Sequence, residues 1–368
     1  MKRKILLFVS VFVVAAGIGF LFFEDAQSAR IGGKPVGFLL DEISVGGSRS
    51  NAAMAVILKE GRAAAPVLAD ALRYVSPART NWIQLKSKLP WAVASRLPRA
   101  RPINHLRRYS AAYALQNLGT NGKPGVPALL AAVKTGDVAE MLMFGANGGL
   151  LVGWSWSHGF RAVAIRAASE IDPDNSDVLA TAAGLAAECE WTRGPSVTAM
   201  APAYEAGMRA LEAAERPSPG TIDRVLKIVH DYEEKAHLDK LGDFNEATAL
   251  QALKSAVAPD RQAAAFALGN LDKMSSEKAV LALSQALKDS DERVRLNAGE
   301  SLVKVGAEAT ATAMALASLL KSTNSVIRLR AVDTLLRMNP SIAADALKKA
   351  ESDSFSLARL RATHSPMK

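Results

Sequence analysis

The sequence contains a single cysteine, Cys189, among its 368 residues. A lone cysteine cannot form an internal disulfide, which excludes the class of small disulfide-stapled domains. No histidine or second cysteine lies near it at metal-ligand spacing, so we interpret Cys189 as a small buried apolar residue. Aromatic residues make up 6% of the chain, and runs of strand-forming residues are scarce, whereas alanine is abundant. This composition predicts an all-α fold with closely packed helices.

Sequence motifs of common enzymes are also missing. The chain has no Gly-x-Ser-x-Gly, no His-Glu-x-x-His and no paired cysteines. Gly145, Gly148 and Gly149 are not followed by the Gly-Lys-Ser/Thr that a phosphate-binding loop requires. His230 and His237 are seven residues apart, about two helical turns, which is too far for the usual adjacent-turn pair of metal ligands. We therefore expect a non-catalytic protein with no cofactor and no metal site.

Charged residues are absent from residues 5–23, an apolar run in which Ser10 is the only polar residue. As a helix this run would extend about 28 Å, close to the hydrocarbon thickness of a bilayer. The basic residues Lys2, Arg3 and Lys4 should stay in the cytoplasm, which places the bulk of the chain outside it, in the periplasm. We predict a signal anchor over residues 1–30 of a single-pass protein of the cytoplasmic membrane. The small residues at 26–28 leave open a cleaved signal peptide and secretion.

Acidic residues are absent from residues 71–136, where eleven basic residues occur. Proline and aromatic residues interleave with these charges, which indicates a basic insertion over 73–108. We predict that it binds an acidic protein face, or an anionic lipid or polymer; nucleic acid is a poor candidate for an exported protein. The alternative is a solvated loop whose tryptophans pack onto the fold. The candidate partner-binding residues are Arg79, Trp82, Lys86, Lys88, Trp91, Arg96, Arg99, Arg101, Arg107 and Arg108.

A repeated pattern is present along the chain. Arg261, Arg295 and Arg328 are 34 and 33 residues apart, and small or apolar residues follow each at offsets of 3, 6, 7 and 10. These offsets share one face of a helix, and Arg108 and Arg161 begin two earlier copies. Each period has room for two helices and short turns. Because a single hairpin leaves apolar surface exposed, stacking should build an α-solenoid of helical hairpins over residues 31–350.

Two stretches depart from this pattern. Residues 144–160 are rich in glycine and tryptophan and predict a loop that interrupts the repeat. Between 192 and 243 the pattern fades, although 204–215 and 222–234 still indicate a degenerate helix pair. Residues 351–368 predict a partial helix followed by a flexible tail.

The segments VRLNAGESLVKVGAEA, IRLRAVDTLLRMNP and RRYSAAYALQNLGTNGKPGVPALLAAV resemble HEAT repeats of the bacterial PBS-lyase-like type. The resemblance covers roughly residues 50–350 and implies an α-solenoid. The helix-opening Val-Arg that marks the family is matched by Val294-Arg295, and by Ile in place of Val at Ile327-Arg328. The acidic partner of the repeat arginine in that family is matched once, by Asp291. The sequence therefore does not predict a continuous ladder of Asp and Arg pairs.

The same resemblance implies several functions. HEAT-type hairpins underlie protein-binding scaffolds, bilin lyase subunits and DNA glycosylases. We expect a membrane-anchored or exported scaffold, because both enzyme classes act in the cytoplasm. The alternative is a bilin lyase-like or DNA-glycosylase-like enzyme.

Overall fold

The computed structural model describes residues 29–72, 105–135, 153–191, 197–241, 245–270, 276–307 and 310–363. Within these ranges the secondary structure is helical except for one two-stranded ribbon. The chain divides into two compact units, Met1–Asp172 (unit 1) and Pro173–Lys368 (unit 2). The repeat pattern predicts one solenoid over residues 31–350 and does not indicate this division.

Unit 1 begins with a short antiparallel ribbon that the all-α prediction misses. Strands β1 (Arg30–Ile31) and β2 (Lys34–Pro35) are joined by Gly32 and Gly33, whose φ angles are +56° and +77°. Positive φ at both central positions is typical of one common two-residue hairpin turn, and glycine adopts it without strain. The Arg30 guanidinium donates to the Gly33 carbonyl at 2.6 Å across this turn.

The rest of unit 1 consists of helices. They are α1 (Val36–Val45), α2 (Gly47–Glu60), α3 (Ala64–Leu72), α4 (His105–Asn117), α5 (Val126–Thr135) and α6 (Gly153–Ile171), with 3₁₀ turns at Gly61–Ala63 and Gly119–Gly125. Helix α4 packs against α1, α3 and α6, and α5 packs against α6. A Cβ at Gly122 would lie 2.5 Å from the Leu115 carbonyl oxygen. Only glycine therefore allows the second 3₁₀ turn to lie this close to α4.

Unit 2 contains the remaining helices. They are α7 (Ser176–Trp191), α8 (Val197–Glu212), α9 (Pro219–Leu241), α10 (Glu246–Ala252), α11 (Ala258–Leu268), α12 (Glu277–Ala286), α13 (Glu292–Lys304), α14 (Thr310–Leu319), α15 (Ser325–Arg337), α16 (Pro340–Ala350) and α17 (Ser356–Thr363). The repeat array runs from α10 to α17, and its complete hairpins are α11–α12, α13–α14 and α15–α16. Asn245, Ser276, Asp291, Asn324 and Asn339 precede helices of this array, and their side chains cap the helices by accepting from the free N–H groups of the first turn.

The array of unit 2 is layered. Helices α11, α13, α15 and α17 contact one another in sequence and form a central layer, while α10, α12, α14 and α16 form an outer layer. Between these layers, Ala279, Leu283 and Leu287 of the outer layer pack with Ala298 and Leu302 of the central layer. Other side chains of the central layer contact α9, which also packs with α7. The central layer is therefore covered on both sides.

The predicted repeat positions are confirmed as core. Ala264, Leu268, Ala298, Ala331 and Leu335, all at repeat offsets of 3 or 7, are 0% exposed. In unit 1 the copy led by Arg108 places Ala111, Ala114 and Leu115 at 0% exposure as well. The stacked HEAT-type hairpins that the sequence predicts are therefore present.

One of the sequence predictions is wrong, and two others are made more exact. Residues 153–160, assigned to the loop 144–160, form the first two turns of α6; residues 136–152 lie outside the described residues. The degenerate pair at 204–215 and 222–234 corresponds to the longer helices α8 and α9. The partial helix after residue 350 is α17, whose residues Leu357 and Ala358 are 0% exposed.

The predicted anchor at residues 1–30 falls almost entirely outside the described residues, which begin at 29. Across the described part of the chain, no helix has the length and apolar character needed to cross a membrane.

Candidate functional site

The repeat arginine performs the same task in each hairpin of unit 2. Its Nη1 donates to backbone carbonyls five or six residues earlier, at the end of the preceding turn. The acceptors are Ser255 and Ala256 for Arg261, Asp289 and Ser290 for Arg295, Ser322 for Arg328, and Asp353 and Ser354 for Arg359, at 2.7 to 3.5 Å. These bonds satisfy carbonyls that the helical ladder leaves without a partner. The bond at Arg359 identifies α17 as the first helix of a further repeat.

Two of these arginines, Arg261 and Arg328, have acidic partners in the following repeat, whereas Arg295 lies 3.6 Å from Glu292 of its own helix. Arg261 forms a two-pronged ion pair with Asp289, at 2.7 Å (Nε–Oδ2) and 2.8 Å (Nη2–Oδ1). Arg328 pairs with Asp353 through its Nε, which donates to both carboxylate oxygens, at 3.1 and 3.2 Å. The pKa of Asp289 is lowered, chiefly by its hydrogen bonds from Arg261. Because the acid lies 28 or 25 residues after the arginine, a search within each repeat does not detect the pair.

Asp291, the one acid that the sequence analysis assigned as a repeat partner, has a different role. Its Oδ1 accepts from the backbone N–H groups of Arg293 and Val294, at 2.9 and 3.1 Å, and so caps α13. It also accepts from the Gln262 side chain at 3.0 Å. Asn324 occupies the equivalent position before α15 and makes the same two backbone bonds. Asp and Asn are equivalent here because both supply a cap acceptor.

A network of charged and polar side chains lies between α9 and the central layer. Arg330 of α15 donates to Glu233 of α9, and also to Glu300 of α13 at 2.7 Å. The side chains of Arg330 and Glu233 are 3% and 7% exposed. A buried guanidinium is tolerated only when its charge and donors are matched, and two carboxylates do this here.

The two carboxylates differ in their proton affinity. Burial raises the pKa of Glu233 to about 7, against the opposing charge of Arg330. Burial also disfavours the charged form of Glu300, but the charge and hydrogen bonds of Arg330 hold its pKa below the usual value. Burial, followed by the charge of Arg330, lowers the pKa of the neighbouring His230. A single buried cation thus holds Glu300 ionised and leaves Glu233 as the group that binds a proton near neutral pH.

His237, also on α9, is 0% exposed and makes structural contacts. Its Nε2 lies 3.2 Å from the Asn297 side-chain amide, which donates to the Gln262 carbonyl at 3.2 Å. Its ring lies 4.8 Å from that of Phe266 between centroids. Within the described ranges, no cluster of three or more His, Cys, Asp or Glu side chains has a metal-binding arrangement.

Helix α9 is tied to the central layer along its length. Near its N-terminal end, Asp223 accepts from Arg361 of α17 at 2.7 Å, and Arg361 also binds Asp333 of α15 at 2.6 Å. Glu233, in the middle of α9, contacts Arg330 of α15. Further along α9, His237 contacts α13 and α11. The chain itself therefore occupies this side of the array, and sequence periodicity gave no sign of it.

The outer layer presents the exposed side of the array. Leu281 and Met314, at the same position of successive repeats, are 62% and 69% exposed. Lys254, Lys288 and Lys321 are exposed just past the ends of α10, α12 and α14. Positive charge at a helix C-terminus is favourable because it faces the negative end of the helix dipole. We call the exposed side of α10, α12, α14 and α16, with these lysines, the outer face.

Two of the ten predicted partner-binding residues are described, and both have contacts within unit 1. Arg107 forms a two-pronged ion pair with Asp41 of α1, at 2.5 and 2.7 Å. The Arg108 guanidinium lies 4.2 Å from the centre of the buried Phe160 ring. These contacts support a structural role for this end of the basic segment. Arg79, Trp82, Lys86, Lys88, Trp91, Arg96, Arg99 and Arg101 lie outside the described residues, and their role stays a prediction.

Comparison with known families agrees with these repeats. Residues 246–315 match HEAT repeats, and residues 107–135 match the PBS lyase HEAT-like repeat. No curated protein matches the chain. The chain therefore carries HEAT repeats, including a PBS lyase HEAT-like repeat, in the two stretches that contain α10 to α14 and α4 to α5.

Proposed function

We propose that this protein is a non-catalytic HEAT-repeat scaffold that binds a protein partner through the outer face of unit 2. The observation that carries the proposal is the contrast between the two sides of the central layer. On the inner side, buried ionisable groups are engaged in ion pairs and hydrogen bonds with α9. On the outer side, large apolar side chains and lysines are exposed. HEAT repeats generally mediate protein binding, since stacked hairpins offer an extended surface without needing a cofactor.

The buried charges support a scaffold more than an enzyme. A perturbed pKa such as that of Glu233 is a common mark of an active site when the group lies in a cleft. Here Glu233 is buried and pairs with Arg330, and α9 lies between the central layer and solvent. A group in this position holds two elements together.

Photo-crosslinking in cells tests the scaffold proposal. A photoreactive amino acid would replace Leu281 on the outer face, and in a matched control it would replace Lys235, which is exposed on α9. We expect position 281 to capture a defined protein that position 235 does not. The proposal would be contradicted if neither position captured a protein and if further outer-face positions, such as 314 and 285, also captured none.

We further propose that the scaffold works outside the cytoplasm, held at the membrane by residues 5–23 or secreted after cleavage near 26–28. The support is the length of the apolar run and its basic flank. A reporter active only outside the cytoplasm should be fused after Lys368, because α17 packs into unit 2 and must be retained. We expect an active reporter. An inactive fusion would favour the bilin lyase-like or DNA-glycosylase-like alternatives.

The basic insertion is a second candidate for partner binding, on the observation that residues 71–136 contain eleven basic residues and no acid. Its occupant would be an acidic protein face or an anionic lipid or polymer. The test should neutralise Arg79, Lys86, Lys88, Arg96, Arg99 and Arg101 while keeping Arg107 and Arg108, which stabilise unit 1. If capture of the partner stays equally strong and equally salt-sensitive after neutralisation, the basic insertion is not the partner-binding site.

A further inference from the structure

The outer face carries two rows of side chains in matching register. Lys254, Lys288 and Lys321 occupy one backbone position in three successive repeats, because the N–H of each donates to the carbonyl three residues earlier, at 3.0 to 3.3 Å. Leu281 and Met314 lie seven residues before the second and third of these lysines. We call the first set the lysine row and the second the apolar row. Both rows are exposed on the outer layer, the apolar row within its helices and the lysine row just past the C-terminal ends of those helices.

The lysine row keeps its charge because acids in the adjoining turns are engaged elsewhere. Asp289 directly follows Lys288 but is held by Arg261, and Asp353, in the corresponding turn of the last hairpin, is held by Arg328. Glu292 accepts from Ser322 at 2.6 Å and lies 3.6 Å from Arg295. Within the described ranges, none of the three lysines forms an ion pair with an acidic side chain. The repeat arginines thus leave a row of unneutralised positive charge at this edge.

The spacing of the rows defines the shape of an occupant. Packed helices are about 8 to 10 Å apart, so each row repeats at about this interval across the array. The two rows are about 10 Å apart along each helix, at 1.5 Å per residue. An extended chain advances about 3.3 Å per residue and directs alternate side chains to opposite sides. A segment of about seven residues lying between the rows would cross from α10 to α14 and contact both.

We infer that the outer face of unit 2 binds an extended, acidic protein segment in which acidic and apolar residues alternate. The carboxylates pair with Lys254, Lys288 and Lys321, and the apolar side chains cover Leu281 and Met314. This inference rests on the proposed scaffold function and adds the site and the chemistry of its partner. A protein segment fits better than an anionic polymer, because a polyanion would leave the apolar row exposed to water.

A binding assay with a designed probe tests this inference. The full chain in neutral detergent would be titrated into a labelled eight-residue peptide of alternating glutamate and leucine, followed by fluorescence anisotropy. Peptides of alternating glutamine and leucine, and of glutamate and serine, serve as matched probes. We expect the glutamate and leucine peptide to bind best, and its binding to weaken as salt is raised. Equal binding of the three peptides would overturn the inference.

Variants locate the binding to the outer face. Replacing Lys254, Lys288 and Lys321 together by Glu should weaken peptide binding roughly tenfold or more, since three exposed ion pairs are lost. The double variant Leu281→Ser and Met314→Ser should weaken it independently of salt. The matched controls are K59E, K227E and K235E together, and V45S with L58S, which make the same changes at exposed positions elsewhere. These controls should bind as the unmodified chain does, and unchanged binding by both outer-face variants would refute the site.

Other outcomes separate this inference from the scaffold function. If micelles containing phosphatidylglycerol bind the lysine row and the peptide does not, the face recognises lipid and the inference is wrong. If the lysine variant still crosslinks the same protein in cells, the scaffold function is supported and the proposed binding site on the outer face is wrong. If no protein is captured by any variant or by the unmodified chain, the scaffold function itself fails.

Discussion

Arg330 is a buried charge that needs carboxylate partners from two other helices. Its guanidinium is 3% exposed and contacts Glu233 and Glu300 from two other helices, with the Asn297 side chain within 3.3 Å. Replacing buried ion pairs by apolar groups is often harmless, whereas removing one partner leaves the other charge desolvated. The three helices therefore depend on one another through this residue.

We predict that Arg330→Met lowers the free energy of unfolding by about 3 to 5 kcal/mol, because two buried carboxylates lose their counter-ion. Chemical denaturation of the full chain measures it. Arg337→Met on the same helix is the control, since Arg337 is 47% exposed and its pair with Asp333 should contribute no more than about 1 kcal/mol. Adding Glu233→Gln and Glu300→Gln to Arg330→Met should restore part of the loss. A mild effect at Arg330 would show that the network contributes little.

Glu233 predicts a pH dependence whose sign follows from its raised pKa. The folded chain binds a proton up to about pH 7, while the unfolded chain releases it around 4.5. The contribution of this group to the free energy of unfolding is fully present below pH 4.5 and is lost as pH rises through about 7. Glu233→Gln should remove this loss, so the difference in unfolding free energy between variant and parent should change between pH 5 and 8. The lowered pKa of His230 acts in the opposite direction, as pH falls below 6.5, and is the same in both proteins. Parallel pH profiles would contradict the assignment.

At the scale of the helices, Arg261 and Arg328 each connect their hairpin to the next repeat. Arg261 satisfies carbonyls of the turn before α11 and pairs with Asp289 in the turn before α13. Both side chains are 14% exposed, so solvent weakens this pair less than a surface pair. The planar guanidinium makes these contacts together, which a lysine ammonium cannot do.

We predict that Arg261→Lys lowers the free energy of unfolding by about 1 to 3 kcal/mol, because the bonds to the turn carbonyls and the two-pronged pair are lost together. A double-mutant cycle with Asp289→Asn should give a coupling energy of at least about 0.5 kcal/mol. The control is Arg224→Lys with Asp177→Asn, a pair whose side chains are 47% and 67% exposed. Additive effects at Arg261 and Asp289 would mean that the hairpins do not communicate through this pair.

Elements differ in how well the sequence predicts them. The hairpins carrying Arg261, Arg295 and Arg328 follow from periodicity, because the same residues both form the helix and fill its core. Helix α9 is recognisable as a helix, but its position over the central layer depends on Glu233, Asp223 and His237 meeting residues far away in the chain. No local pattern encodes such pairings, so these contacts of α9 could not be predicted from the sequence.

At the scale of the whole molecule, α17 completes unit 2. Its Arg361 binds both Asp333 and Asp223, and Phe355, just before it, is 3% exposed. Ser356 donates to the Ala214 carbonyl at 2.5 Å. The last turn of the array is therefore held by residues from α15, α9 and the segment between α8 and α9.

We predict that ending the chain after Ser352 lowers the thermal midpoint by several degrees or more, because apolar surface of α15 is exposed and three ion pairs are lost, those of Asp353 with Arg328 and of Arg361 with Asp333 and Asp223. Circular dichroism on heating measures it. Ending the chain after Thr363 keeps all of these contacts and should leave the midpoint unchanged. Equal midpoints for the two truncations would show that α17 is dispensable.

The sequence by itself determined that this protein is helical, that its repeats are HEAT-type hairpins and which alanines and leucines fill their cores. These properties are local, because periodicity within one helix decides which face is buried. Only the tertiary structure decided that Arg261 and Arg328 pair with acids of the next repeat, that α9 covers the central layer, and that Arg107 and Arg108 have partners within unit 1. Such contacts join residues separated by 25 to 138 positions, where charge and shape must meet in space and neighbours in the chain carry no signal.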